Sequence, residues 1–241
     1  MEKSLYKTYE LAEENHWWFC GRRAIINMFF KKYRIIAGQS HILDFGCNTG
    51  FLAGKLQEKG YEVKGVDMSL DAVMYGTKRG VRDLVVGKTP VPFPSNSFDS
   101  FLALDVVEHI EDHDGAMSDL YRVLKHGGTA FVMVPAFMFM WGLQDEVAHH
   151  FRRYSKKELK QLVLRNGFKV ERITYFNFFM FLPIAIVRIL QKVVPPKRSS
   201  DFDINNTFIN IILTKLFVLE AKLLKYINFP FGVSLIVVIK K

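Results

Sequence analysis

The stretch His41-Ile-Leu-Asp-Phe-Gly-Cys-Asn-Thr-Gly50 restricts the fold of this 241-residue chain more than any other. Ile42 to Phe45 is a short apolar run carrying one acid, Asp44. It breaks into the turn Gly46 to Gly50, and a helix-like run follows from Phe51 to Lys59. Strand, glycine turn and helix in this order open a nucleotide-binding βαβ unit. Glycine lets backbone N–H groups approach a ligand because no Cβ intervenes. Asn48 stands where a further glycine is usual, and asparagine is among the few residues that tolerate a positive φ.

The second strand of the unit is expected over Tyr61 to Val66, and it ends in Asp67. A carboxylate at that place can accept hydrogen bonds from both hydroxyls of a ribose. No Gly-Lys-Ser/Thr closes the turn, so it is not a P-loop, and the spacing that seats a pyrophosphate is missing. The pattern therefore points to a nucleoside cofactor without phosphates to cradle.

The alternation continues. Strands are expected at Asp83–Val86, Phe98–Leu104, Thr129–Val134, Phe168–Tyr175 and Gly232–Ile239. Ser69 is expected to cap a helix over Leu70–Arg79, and Ser155 one over Lys156–Arg165. A helix over Glu111–Lys125 should stop at Gly127-Gly128. Strands alternating with helices imply a parallel sheet covered on both faces. Ligands of such sheets lie beyond the carboxyl ends of the strands, where Asp44, Asp67 and Asp105 all fall.

Asp44-Phe-Gly46-Cys-Asn48-Thr-Gly50 resembles the first motif of the class I S-adenosylmethionine-dependent methyltransferases. Asp67 matches their ribose-binding acid. Pro92-Phe-Pro94, Ser97-Phe-Asp99, Leu104 to His109 and Arg122 to Gly128 match later landmarks of the type 11 subgroup. The likeness is good over residues 40 to 135. It implies a Rossmann-like sheet of seven strands with helices on both faces and S-adenosylmethionine as cofactor. Asp44, Gly46, Cys47, Asn48, Gly50, Asp67, Met68 and Asp105 are the cofactor-binding residues implied. Two departures stand out: Asn48 replaces a glycine, and Gly87-Lys88 occupies the place of an acid that often meets the adenine amino group.

The flanks add two further parts. Residues 1–40 read as a helical cap over the cofactor, interrupted at Gly21, with Arg22 or Arg23 reaching an anionic group. The core is expected over residues 41–175 and 232–241. Between the last two strands a short turn would suffice, yet residues 176–231 intervene. They read as a helical hairpin, with Phe176 to Leu190 apolar, Pro195 to Asp201 a polar linker, and Ile204 to Ile227 a second helix. In that helix Phe208, Ile211, Ile212, Leu216, Leu219 and Leu223 recur at helical spacing, with lysines on the other side.

Charge is uneven along the chain. Residues 1–150 hold 16 Lys and Arg against 19 Asp and Glu, whereas residues 151–241 hold 17 against 5. A basic third of this kind suits an anionic partner. Its long aliphatic and phenylalanine runs suit peripheral contact with a membrane surface better than nucleic acid. With only Cys20 and Cys47, and no apolar leader, the expectation is a reduced cytoplasmic protein, peripheral on the inner face of the membrane.

For chemistry, the segment Trp141 to Tyr154 follows a strand's carboxyl end and can overhang the reacting group. His150 is a candidate general base with Asp145 to orient it; His149 and Glu146 are the alternates. Asp105, Glu108 and His109 have spacing that could ligate a divalent cation, as proposed for the similar stretch of ubiquinone-biosynthesis O-methyltransferases. Glu108 and His109 are equally suited to cap the next helix, and no metal is assigned. The function implied is methyl transfer to oxygen on a small-molecule or lipid-linked acceptor. The alternatives are a nucleic-acid methyltransferase and a protein that binds the cofactor without transferring its methyl. Composition is silent on oligomeric state.

Overall fold

The computed structural model describes residues 9–193 and 207–241. The polar linker expected from Pro195 to Asp201 and the expected start of the second hairpin helix, up to Asn206, lie outside the described residues, as does the beginning of the cap. Seven strands form one sheet: β1 His41–Phe45, β2 Glu62–Asp67, β3 Leu84–Val86, β4 Phe98–Leu104, β5 Leu124–Pro135, β6 Lys169–Phe176 and β7 Ser234–Lys240. Their order is β3-β2-β1-β4-β5-β7-β6, with helices on both sides. The first five strands run parallel. The order reverses at β1, and that switch point places the first glycine turn beside the end of β4.

The sheet is not wholly parallel, because β7 is antiparallel to both β5 and β6. Phe176, the last residue of β6, pairs with Ser234, the first of β7. An antiparallel neighbour needs only a tight connection. Whatever is inserted there must therefore sit over the carboxyl edge of the sheet, beside Asp44, Asp67 and Asp105. Topology thus delivers the hairpin to the site.

Gly21 does not interrupt the cap. One helix runs from Trp17 to Tyr33. Gly21 instead makes room: a Cβ there would lie 2.1 Å from the Phe217 ring. The helix over His113–Val123 is shorter than expected, and a 3-10 turn at Val107–His109 precedes it. The Gly127-Gly128 pair is not its stop. Both glycines lie in the extended segment Leu124–Pro135 that follows directly. The caps at Ser69 and Ser155 form as expected, each hydroxyl accepting the N–H three residues on.

The hairpin helices span Phe181–Val193 and Thr207–Leu223. Phe217 is 3% exposed and packs on Trp17, Trp18 and Phe176. Glu220, also buried, accepts the N–H groups of Phe178 (2.8 Å) and Phe179 (3.3 Å). Burial pushes its carboxyl up to about 7. The inward face is thus Phe217, Glu220, Ala221 and Leu224. Ile211, Ile212 and Leu219 of the expected apolar stripe face outward, on the same side as Lys215 and Lys222. Asn210 accepts the Trp17 N–H and donates to the Asn15 carbonyl.

Candidate active site

A cavity of 1260 Å³ opens over the carboxyl edge of the sheet. Its floor is built by the ends of β1, β2 and β4. Asp44, Gly46, Cys47, Asn48, Asp67, Met68 and Asp105 all line it. Gly50 does not. It has φ +70 and precedes the helix Phe51–Gln57, where a Cβ would come within 3.0 Å of Leu84. It packs against Leu84 and Gly76.

The glycine turn works differently from the sequence expectation. Its N–H groups are used within the chain: those of Gly46 and Cys47 donate to the Val66 carbonyl at 2.8 and 3.1 Å, and that of Gly50 to Cys47. Gly46 is required because φ is +72 and a Cβ would sit 2.4 Å from Val106. Asn48 does take a positive φ, +50. Its N–H donates to Asp67 Oδ2 at 2.9 Å, while the Ser69 N–H donates to Oδ1 at 2.9 Å. Two backbone donors therefore fix the plane of the Asp67 carboxylate and leave lone pairs on both oxygens. Burial raises the Asp67 pKa, and these two bonds oppose the rise.

Asp44 is 4% exposed, and its Oδ2 has no hydrogen-bond partner. Burial pushes its carboxyl up to about 7, against the pull of Arg22. An orphaned buried carboxylate oxygen is costly unless a ligand donates to it. Asp44 and Asp67 together fit a ligand with a cationic or N–H group at one end and a diol at the other. Burial also pushes the Cys47 thiol up, so that it stays unreactive.

Arg22, on the cap helix, reaches Asp105 Oδ2 at 2.7 Å. The anionic group that the cap was expected to reach thus belongs to this chain. Arg23 instead donates to the carbonyls of Glu13 and Glu14. Glu13 is a residue that sequence reasoning missed. Buried against the cavity, it accepts from Thr49 Oγ1 and from Arg79 Nη1, the latter at 2.8 Å. It ties the cap to the first glycine turn from 36 positions away in sequence. No local pattern marks a lone glutamate for this.

The opposite wall carries His149, His150, Phe151 and Arg153, with Met180, Ile184 and Val187 from the hairpin. Asp145 is fully buried behind this wall and does not line the cavity. Its Oδ1 meets His150 Nδ1 at 2.8 Å and accepts from Arg153 Nε at 2.8 Å, and its Oδ2 accepts the Gly142 N–H at 2.9 Å. Burial works against its charge. The bond from His150 and the Arg153 guanidinium prevail and hold the carboxyl below its usual range. Nδ1 of His150 is thereby occupied, and Nε2 is left for a further partner. Arg153 is 7% exposed and clamps the loop through Asp145 and the Ala136 carbonyl.

Glu108 is fully buried, and neither carboxylate oxygen has a hydrogen-bond partner. His150 Nε2 lies 4.0 Å from its Oε1. Burial, then the Asp105 charge, raises its pKa well above the usual range. Burial and the neighbouring His150 lower His109 to about 3, which favours its neutral form. Possible ligand atoms of Glu108, His109 and His150 all lie within 4.8 Å of one another. The converging set thus contains His150, whereas Asp105 is turned to Arg22.

Residues 43–132 match the family model for a methyltransferase domain of the type 11 branch. A probable S-adenosylmethionine-dependent methyltransferase of Mycolicibacterium smegmatis is 30% identical over 165 residues. The alignment covers 67% of this chain but only 62% of that relative's length. A ubiquinone biosynthesis O-methyltransferase of Rickettsia canadensis is 25% identical over 58% of this chain and 75% of its own. Among solved structures, phosphoethanolamine N-methyltransferase 2 of Haemonchus contortus, in complex with S-adenosyl-L-methionine, superposes with a TM-score of 0.63. It is 18% identical over 98% of this chain and 56% of that one. At that identity the likeness is one of fold.

Proposed function

The chain belongs to the class I S-adenosylmethionine-dependent methyltransferases, type 11 subgroup, and from that premise we propose that it methylates a hydroxyl of an acceptor with a largely apolar body. The cofactor is S-adenosylmethionine. When bound, it supplies an electrophilic methyl on a sulfonium, so the hard chemistry is the cofactor's own. Asp67 would hold the ribose hydroxyls and Asp44 the amino group, with Gly46, Cys47, Asn48, Met68 and Asp105 along the same floor. Arg22 neutralises Asp105 and closes the cap.

The observation that carries the reading is the Asp145–His150 pair. An oxygen nucleophile must lose its proton during transfer, and a histidine whose other nitrogen is held by a buried carboxylate is suited to take it. Asp145 and Arg153 keep the ring in place, and the apolar wall of Met180, Ile184 and Val187 excludes water. A lipid-linked acceptor fits this wall better than a small polar one. The same wall is unlike the open, polar surface that nucleic acid requires. A second reading has Glu108, His109 and His150 hold a divalent cation that binds the acceptor's oxygen. It is favoured by their convergence alone, and abolition of turnover by EDTA with recovery on adding Mg²⁺ or Mn²⁺ would favour it over a free base.

Two measurements test the proposal. Isothermal titration with S-adenosylhomocysteine should show saturable binding. Incubation of the protein and methyl-labelled cofactor with solvent-extracted lipids and with the aqueous extract should label the lipid fraction. Binding without transfer to either fraction would leave a protein that only holds the cofactor, and label on nitrogen or carbon would remove the role given to His150.

A further inference from the structure

We propose that the outer face of the hairpin lies on an anionic membrane surface, so that an acceptor headgroup enters the cavity from the side. The second half of this statement rests on the lipid-linked reading above; the first half does not.

On the helix Phe181–Val193, Leu182, Ile186, Ile189 and Leu190 are each more than half exposed. Their spacing places them on one side. On the helix Thr207–Leu223, Ile211, Ile212 and Leu219 are 46–48% exposed, with Lys215 and Lys222 on the same face. Neither helix can span a bilayer. They have 13 and 17 residues, and among the described residues no helix is long and apolar enough to cross a membrane. Exposed apolar side chains with lysines among them suit a helix pair that lies in the interface plane instead.

Charge identifies the occupant. The helix Phe181–Val193 contains no acid, and the only acid in Thr207–Leu223 is Glu220, which is buried and bonded to Phe178 and Phe179. Among the described residues of the two helices, the exposed face therefore offers lysines and apolar side chains without a compensating carboxylate. A second copy of the chain would bring Lys215 and Lys222 against the same basic face. An anionic leaflet satisfies both components at once. The face also adjoins the cavity: Ile184 and Val187 of the first helix and Leu213 of the second line it. The hairpin is held from within by Phe217 and Glu220, so its outer face needs nothing further from the fold.

Flotation of the full chain with vesicles decides the matter. The protein should rise with phosphatidylglycerol-containing vesicles at about 0.05 M salt, stay down with pure phosphatidylcholine, and be released at about 0.5 M salt as the Debye length shrinks. Each lysine near the surface contributes about fivefold in partition, so K215E/K222E should lower binding by about 30-fold or more. I186S/L190S should lower it by about tenfold. Titration with S-adenosylhomocysteine, run in parallel, should be unchanged in both variants, which shows that they are folded. Protein that stays at the bottom with anionic vesicles at low salt overturns the proposal. So does flotation that K215E/K222E leaves intact, or a vesicle-free dimer that I186S/L190S dissociates. Flotation involves no turnover, so its failure leaves the methyl-transfer reading to the labelling experiment.

Discussion

Residues 41–135 and the hairpin helices Phe181–Val193 and Thr207–Leu223 form two walls of one cavity, and they hold their polar groups by different means. On the cofactor side, a carboxylate is fixed by backbone donors close by in the βαβ unit. Asp67 takes the N–H groups of Asn48 and Ser69, 19 and 2 positions away. On the hairpin side the ties are long. Glu220 caps N–H groups 42 and 41 positions away, and Asn210 meets Trp17 across 193. The first wall is pre-set by local structure. The second depends on the whole sheet having formed, because its anchor points come from the cap and from the end of β6.

The comparison can be broken most sharply at His150, on the wall that the hairpin completes. His150→Ala should lower turnover by about 10²–10⁴ while S-adenosylhomocysteine affinity stays intact. An equal loss of cofactor affinity or of thermal stability would make the histidine a loop lock. Next in size is Phe217→Ala. Removing this buried ring from Gly21, Trp17, Trp18 and Phe176 should cost about 3–5 kcal/mol of stability by denaturant unfolding. The folded fraction should still bind the cofactor product, since Phe217 touches none of the floor. If affinity falls in step with stability, the two walls are one cooperative unit.

A smaller effect is expected on the cofactor side. Asp67→Ala should weaken S-adenosylmethionine binding by roughly 1.5–3 kcal/mol, the loss expected for a charge-assisted bond. An unaltered dissociation constant in a folded variant would remove Asp67 from the site. The smallest effect concerns pH. Burial pushes the Asp44 carboxyl up to about 7, from an ordinary value of 3.8. The folded state therefore holds an extra proton between those values. Its contribution is fully present below about 4, is lost as pH rises to about 7, and then levels off. Asp44→Asn should flatten that part of the melting-temperature profile and gain about 1–2 kcal/mol at pH 8 without cofactor. Glu220 and Glu108 tilt the profile in the same direction, so the difference between variant and parent is the measurement. Identical slopes would mean that Asp44 is ionised throughout.

The glycine turn was legible because it answers to one local constraint, a positive φ at Gly46 and Asn48. The spaced acids were legible because each ends a strand in a sheet whose ligand edge is known in advance. Asp145 and His150 were legible as a pair because a five-residue separation on a short turn brings them together. Glu13 was not, since a single glutamate bonding to Thr49 leaves no pattern in sequence. The direction of the hairpin's apolar stripe was not legible either. Spacing shows that Ile211, Ile212 and Leu219 share a face, but not whether that face turns in or out.

The sequence by itself determined the order of strands and helices, the glycine turn, the acids at the strand ends and the family. All of these follow from residues near one another along the chain, through φ preferences, capping and the alternation of apolar runs. Only the tertiary structure decided that β7 runs antiparallel, that the hairpin therefore stands over the ligand edge, and that Phe217 and not the outer stripe is its inward side. Those outcomes depend on which distant surfaces fit. Gly21 leaves space for one aromatic ring, and burying Phe217 there with Glu220 on the Phe178 and Phe179 amides satisfies packing and hydrogen bonding together. The outer residues have no such partner among the described residues, so they are the ones left facing out.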